Sequence, residues 1–495
     1  MDSEWNDYYQ RVVVSRCDGD DARTSLDALR RSAKAGHLAL LIGAGVTACL
    51  VGNWKELLNE LAIMRCGSQA CQRGAVKAAN PKLNKLRDYI QKVKDASFLP
   101  VDTGVLEQGE YLMYDPDDME ARRLNPQTAS TERWRERYFA AQVGDAIRSL
   151  THKHLCDARG KMPKTLEEDF MDWCDNSTDD VFGVRRREVS NNDAVVKALK
   201  SQKITAEALA EKLQGRYGIS TDLVALRAEA AKAQTDAAEI EAAVFERLAA
   251  QAADALWRPN YGTLYQMLKL CAVGGVQEVI TYNFDTIFDQ LLINPDIQRR
   301  LGAKTIRSVQ IYSFHNERPV ELKGADTDRK NADAIRIYHV HGILDGEEDK
   351  ESRLPVMPII FSENSYQMYQ NRVMNWSNIR IAEAINTYDL LCVGFSGTDA
   401  NFRNLVQLCR QLQDTPIFAS EQNAHKVFLT RACKCDVDRY MKAKDTFTPD
   451  DLECAFWCVD TYFGLVQMYY YYQLGITVLW SEDFDDMAEQ LDQLI

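Results

Sequence analysis

From residue 259 onward, short apolar runs alternate with helix-patterned segments, and this alternation narrows the folds open to the chain more than any other feature. EVITYNFD precedes TIFDQLL, LLCVGFSGTD precedes ANFRNLVQLCRQL, and GITVLW precedes EDFDDMAEQLDQLI, with IRIYHVHG, MPIIFSENSYQMY and HKVFLT placed among them. Strands separated by helices need long crossovers, so they build a parallel sheet with helices on its faces. Near the start, HLALLIGAGV followed by WKELLNELAIM supplies one more strand-helix unit, with Asn53 and Glu56 spaced as a capping pair. The expected fold class is therefore α/β with a parallel sheet.

At 495 residues the chain exceeds what one core usually organises. Between residues 66 and 258 the text changes to charged, alanine-rich, helix-favouring sequence, including EYLMYDPDDMEAR and LEEDFMDWCD. This predicts three parts: residues 1–65 as the first strand-helix unit, 66–258 as a large α-helical insertion, and 259–495 as the rest of the sheet domain. Within the insertion, Leu223, Leu226, Ala230, Ala233, Ala237, Ile240 and Val244 recur at spacings of three and four, which predicts one long helix over residues 222–257 ending before Pro259. Its apolar stripe has two readings, packing within the insertion or contact with another subunit.

Composition removes several classes of function. A net charge of -14 argues against nucleic acid as the main ligand. LALLIGAGVTACLVG is too short and too interrupted by glycine to span a bilayer, and MDSEWNDYYQ lacks the order of a signal peptide, so a cytoplasmic location and no membrane are expected. Thirteen scattered cysteines read as reduced thiols, and Cys66 with Cys71, Cys433 with Cys435, and Cys454 with Cys458 all miss zinc-ribbon spacing. No metal is expected.

The chemistry gathers at the predicted carboxyl ends of the strands, where open α/β sheets bind ligands. The first end, LLIGAGVT, puts small residues where a backbone can approach a pyrophosphate, although a tight strand-to-helix turn looks the same. It lacks the third spaced glycine of a dehydrogenase loop. In the second, VITYNFD, the polar side chains of Thr281, Asn283 and Asp285 alternate off one face and can hold a ribose and a water; Asp285 also suits a helix cap. In the third, HVHG, His339 and His341 present three possibilities: a metal pair without a third ligand, a packed strand end, or a base at the sheet edge. An exposed-edge position for His341 predicts an ordinary imidazole pKa of about 6.5, with His339 packed one step deeper. The fourth, LLCVGFSGTD, runs into Gly394, with Ser396 and Asp399 as either site residues or helix caps.

Together, GAG, T-x-N-x-D, HG and GFS in this order resemble the sirtuin family. More closely, they resemble the sirtuin-like NADases of bacterial antiphage defence, such as those of Thoeris systems and those partnered with short Argonautes or HerA-type ATPases. The resemblance covers residues 37–61 and 261–495, and it implies a Rossmann-like sheet of the sirtuin type that binds NAD and cleaves its nicotinamide-ribose bond. It implies further that Gly43, Ala44 and Gly45 border the NAD phosphates, with Thr47 where sirtuins carry serine. Thr281, Asn283 and Asp285 then lie at the nicotinamide ribose, with Asn283 and His341 catalytic, while Gly394 and Ser396 lie on the adenosine side and Asp399 is a further candidate. No cysteine lies between His341 and Leu391, where sirtuin deacylases carry their zinc ribbon.

The expectation is an NAD hydrolase that depletes NAD in abortive infection, acting as a homo-oligomer with an activating protein partner. Water is the expected acceptor, and cyclisation differs only in the nucleophile. Two alternatives stand beside it: an NAD-dependent protein deacylase, and a non-catalytic module that senses NAD or ADP-ribose.

Overall fold

The computed structural model describes residues 20–52, 57, 60–61, 132–155, 165–176, 180–181, 184–185, 196, 199–200, 204–217, 221–232, 236–256, 259–313, 316–320, 334–344, 359–360, 375–395, 397, 399–413, 427–432, 471, 474–481 and 484–495. The chain divides into two compact units, one of Met1–Leu150 with Thr263–Ile495 and one of Thr151–Gly262.

The first unit opens with helix α1 (Asp20–Lys34), strand β1 (Leu38–Ile42), a single 3-10 turn at Ala44–Val46 and the short helix α2 (Ala48–Val51). Helix α3 (Glu132–Leu155) follows among the described residues. In the second unit, α4 (Leu166–Asn176) precedes a two-stranded antiparallel ribbon, β2 (Asp180–Val181) with β3 (Val184–Arg185), and then α5 (Ala206–Lys212), α6 (Leu223–Ala230) and α7 (Ala237–Leu256).

The remaining elements run α8 (Gly262–Ala272), β4 (Val276–Thr281), α9 (Ile287–Ile293), α10 (Pro295–Arg300), β5 (Val309–Ser313), β6 (Asn316–Val320) and β7 (Ile335–His339). They close with α11 (Trp376–Thr387), β8 (Asp389–Val393), α12 (Ala400–Gln413), β9 (Val427–Ala432), β10 (Ile476–Ser481) and α13 (Phe484–Asp492).

Eight strands form one sheet in the order β10-β9-β8-β1-β4-β7-β5-β6. Every pairing is parallel except that of β6 with β5. This is a Rossmann-like α/β sheet, as the alternation of strand and helix text predicts. All five residues of β1 are buried, which suits a central parallel strand covered on both faces. On one face, Ala39, Leu41, Leu390 and Cys392 pack with Ile381 and Ile385 of α11 and Phe402, Leu405 and Val406 of α12. From β1 the chain adds β4, then β5 and β6 at the far edge with β7 inserted between β4 and β5, and returns to add β8, β9 and β10 on the other side of β1. Open α/β sheets bind ligands at the carboxyl ends of the strands beside such a reversal.

Two strands escape the sequence reading. In β5, only Val309, Ile311 and Ser313 are buried, with partly exposed residues between them, so no continuous apolar run announces it. NERPV reads as polar and contains a proline, which an edge strand such as β6 tolerates because one side of its backbone needs no partner. The strand expected in MPIIFSENSYQMY lies outside the described residues apart from Ile359 and Ile360, which are not in a strand. The Asn53 and Glu56 capping pair also lies outside them.

In the second unit, the single rod expected over residues 222–257 is instead two helices, α6 and α7. The Asp236 carboxylate accepts from the amides of Ala238 and Glu239, starting a new helix where an uninterrupted one would need those amides for its own ladder. The apolar stripe packs inside the unit: Ala230, Val244, Leu248 and Ala252 join Leu199, Leu209 and Leu213 in one buried cluster. Val244 is thus core, and a substitution there reports on folding rather than on assembly. Arg227 binds both Glu207 and Glu241 and so links α5, α6 and α7 at their surface.

The sheet's two central carboxyl ends meet backbone against backbone. The Gly43 amide donates to the Val393 carbonyl at 3.0 Å and the Gly45 amide to the Gly394 carbonyl at 2.9 Å. A Cβ on Gly43 would lie 2.4 Å from the Gly394 oxygen, and one on Gly394 would lie 2.4 Å from the Val46 nitrogen. Gly394 also has φ +63, whereas Gly274, with φ +94, has no neighbour near its absent side chain. We expect Gly274→Ala to cost about 1 kcal/mol through backbone strain alone. Gly394→Ala adds a backbone collision and should cost at least about 3 kcal/mol. Denaturant unfolding of both variants checks this, and equal losses would show that the two strand ends do not need to touch.

Candidate active site

The polar residues of the strand ends come together because the parallel register aligns their last residues. Ile42 pairs with both Thr281 and Val393, Thr281 with His339, and His339 with Ser313. Beyond this row the chain leaves each strand, and the exit segments are tied to one another. The Val340 amide donates to Thr281 and the Leu344 amide to Phe284, so the segment after β7 is fastened along the one after β4.

Thr47, at the start of α2, is the hub of the polar group. Its hydroxyl donates to Asp285 Oδ2 at 3.1 Å and accepts from Asn283 Nδ2 at 3.1 Å. The donation to a carboxylate leaves the hydroxyl an acceptor toward Asn283, which fixes the amide with its nitrogen toward Thr47 and leaves its carbonyl oxygen as the acceptor. Asp285 Oδ1 accepts from the Ile287 amide at 3.2 Å and so touches the first residue of α9, although the N-cap itself is Thr286 and not Asp285. Thr281 accepts from the Asn283 amide at 3.1 Å and shapes the turn.

The apolar residues between these polar ones face other neighbours. The Tyr282 ring meets His341 edge-on at 4.5 Å and Phe395 at 5.0 Å, joining the exits of β4, β7 and β8. Phe284 packs with Leu57, Leu61, Ala140, Val143 and Ile359.

The two histidines do not form a pair. Strand β7 ends at His339, and Val340 and His341 lie in a turn, so the alternation that would align both rings stops between them. Among the described residues, no group of three or more His, Cys, Asp or Glu side chains is placed to hold a metal ion. His339 is fully buried, as its deeper place in the strand predicts, and it contacts the Asn283 carbonyl and the Asp289 carboxylate. Asp289 escaped the sequence reading; an acid between Phe288 and Leu291 on a helix buried on both sides was the available signal.

His341, Asn283 and Asp285 keep 8, 7 and 8 % of their surface exposed while His339 keeps none, so His339 is the deepest of the four. The ordinary imidazole pKa expected for His341 is not what the structure gives: burial lowers it to about 4, against the opposing pull of Asp399. His341 is therefore a neutral acceptor at neutral pH. Burial raises the Asp285 carboxyl to about 6, against the hydrogen bonds from Ile287 and Thr47.

Gly43, Ala44, Gly45 and Gly394 form the rim between β1 and β8. The amides of Gly43 and Gly45 are taken by the neighbouring strand end, so these glycines allow close approach rather than donate to a ligand. Asp399 accepts from the Phe402 amide at 2.6 Å, capping α12. Ser396 lies outside the described residues.

Residues 277–444 match the family described as a SIR2-like domain. This part of the chain is similar to that family. The match supports an NAD-related function and takes in Thr281, Asn283, Asp285, His341, Gly394 and Asp399, while the Gly43–Thr47 stretch lies before it. No curated protein matches the chain. Among the described residues, no helix is long and apolar enough to cross a membrane.

The two buried titrations have opposite signs. Asp285, raised from 3.8 to about 6, contributes stability that is present below its ordinary value and is lost as pH rises through about 6. His341, lowered from 6.5 to about 4, contributes stability that is present above its ordinary value and is lost as pH falls through about 4. Each is on the order of 3 kcal/mol, so they offset one another in the wild type. Between about pH 4 and 6, Asp285→Asn should make stability rise more steeply with pH than in the wild type, and His341→Gln less steeply. Urea unfolding across this range measures the slopes; unchanged slopes would place both groups in solvent.

Proposed function

We propose that the chain is an NAD glycohydrolase, splitting NAD and water into nicotinamide and ADP-ribose. The observation that carries this reading is the chain of hydrogen bonds from Asn283 through Thr47 to Asp285 at the carboxyl ends of the strands, with His341 in the turn after β7 packed on Tyr282 of the same exit segment as Asn283. An NAD-related function for the matched region gives the substrate class.

The bond that breaks joins the ribose anomeric carbon to the pyridinium nitrogen. Its electron pair goes to the ring, and nicotinamide leaves neutral, so the protein needs no strong acid. What remains is to stabilise an oxocarbenium-like ribose and deliver water. The Asn283 side-chain oxygen Oδ1 orients the water, and the neutral His341 imidazole takes its proton as the new carbon-oxygen bond forms. Asp285, when ionised, holds Thr47 as a donor and so keeps the Asn283 amide in the required direction. Activity should accordingly rise with pH through about 6, the value to which burial raises Asp285. With the Gly43 and Gly45 amides already engaged, the NAD phosphates meet this rim by close backbone approach.

The role in antiphage defence, the homo-oligomer and the activating protein partner are proposed on the resemblance to defence NADases, and the cytoplasmic location on the thirteen scattered cysteines read as reduced thiols. The extents of the three parts, 1–65, 66–258 and 259–495, are likewise proposed from the sequence.

Incubation of the purified protein with NAD, with chromatography of the products, is the decisive experiment. Nicotinamide with ADP-ribose is expected. Turnover only with an acylated peptide would make the chain a deacylase, and NAD binding without turnover would make it a sensor. Asn283→Ala and His341→Ala should each lower kcat by about 10² to 10⁴ with folding retained. Near wild-type turnover in a folded His341→Ala protein would remove His341 from the chemistry.

A further inference from the structure

His339 has two ring nitrogens, and both face acceptors. Nδ1 lies 3.0 Å from the Asn283 carbonyl oxygen, and Nε2 lies 3.1 and 3.2 Å from the two carboxyl oxygens of Asp289. A carbonyl oxygen can only accept, so Nδ1 carries a hydrogen. The remaining proton is shared between Nε2 and the carboxyl group. With the proton on nitrogen, each charge of the pair meets its opposite at hydrogen-bond distance, the arrangement that a buried carboxylate and imidazole need. The near-equal approach of Nε2 to both oxygens suits an ionised carboxylate.

From this geometry we infer that His339 is a buried imidazolium, held by Asp289, that acts as a positioning residue for Asn283 by clamping its backbone carbonyl. The positioning role rests on the NAD reading of the site.

The groups around the ring support the charged form. His339 is 0 % and Asp289 1 % exposed, so neither is screened by solvent and each would be costly to leave alone. The Asp289 carboxylate, its hydrogen bond, the Asn283 carbonyl and the Asp285 charge all favour the imidazolium, and together they outweigh burial and move the pKa of His339 above its ordinary value. The strand neighbours in register with it, Thr281 and Ser313, carry hydroxyls and no charge.

The effect reaches the crevice through one residue. Asn283 is held at three points: its amide nitrogen on Thr281, its side-chain nitrogen on Thr47 and its carbonyl on His339. A donor that is also cationic strengthens the third. Because Asp289 sits on α9 and His339 at the end of β7, the clamp also joins that helix to the strand behind the site.

The test uses the full chain with nitrogen-labelled histidine. In the wild type, the His339 resonances should show both ring nitrogens still protonated above the ordinary imidazole value of about 6.5. Asp289→Asn keeps a hydrogen-bonding partner for Nε2 but removes the charge, so His339 should become neutral above that ordinary value. In the same variant, kcat for NAD should fall on the order of 10²-fold. KM should stay within about threefold, the pattern of a lost transition-state interaction. His339→Gln, which can still donate to the Asn283 carbonyl, should recover part of that loss.

A neutral His339 in the wild type at pH 7 would overturn the imidazolium. A folded Asp289→Asn protein with wild-type kcat would overturn the positioning role, and a lowered melting temperature with unchanged kcat would leave the pair purely structural. If Asp289→Asn fails to fold, the wild-type resonances still decide the charge, and a folded His339→Leu protein, which has no donor for the Asn283 backbone carbonyl, with wild-type kcat would overturn the clamp. A wild-type protein with no NAD turnover would overturn the NAD reading and the positioning role with it; the imidazolium stands or falls on the resonances alone.

Discussion

The approach of two glycine-bearing turns, the one after β1 and the one after β8, is the contact on which the crevice depends. Gly43 and Gly45 meet Val393 and Gly394 through main-chain atoms, at distances that leave no room for a single added carbon. Adjacent parallel strands end side by side in any such sheet, but side chains on their exits would normally hold the two turns apart. Here their removal brings the turns into hydrogen-bonding contact, and Thr47 follows directly from that placement. From there its hydroxyl reaches Asn283 and Asp285, which lie in the exit from β4, the strand on the opposite side of β1.

The sheet thus supplies two different kinds of order. Register aligns Thr281, His339 and Ser313 in one row without any side chain having to choose a partner. The exits add specificity, because each side chain there has its own neighbour: Tyr282 with His341 and Phe395, Phe284 with Leu57, Leu61 and α3, and Asp285 with Thr47. Alternation along a single extended segment separates the apolar contacts from the polar ones.

That division explains how much was readable in the sequence. β1, β4 and β8 announce themselves as apolar runs because both of their faces are covered, and the two-residue period of Thr281, Asn283 and Asp285 is visible in the letters. β5 and β6 are not, because β6 is the edge strand and β5 beside it is buried only at alternate positions, so neither needs a continuous apolar run. The hydrogen bond between Thr47 and Asp285 spans 238 positions, so only the strand order could reveal it. Asp289 was hidden for a related reason: a carboxylate among Phe288, Leu291 and Leu292 looks like an exposed residue until the buried histidine opposite is placed. The rod expected over residues 222–257 failed on the opposite ground. Its spacing was right on both sides of the break, but apolar spacing does not register a capping carboxylate such as that of Asp236.

Phe284 stands between Asn283 and Asp285 in the chain and is anchored in a cluster drawn from α3, the helical residues Leu57 and Leu61, and Ile359. Its burial fixes the backbone from which both polar neighbours project. The geometry of the crevice is therefore set in part by a purely apolar fit some distance from any chemistry. A sequence that drifts at Ala140, Val143 or Ile359, without touching one polar group, would re-aim the crevice by altering the seat of that ring.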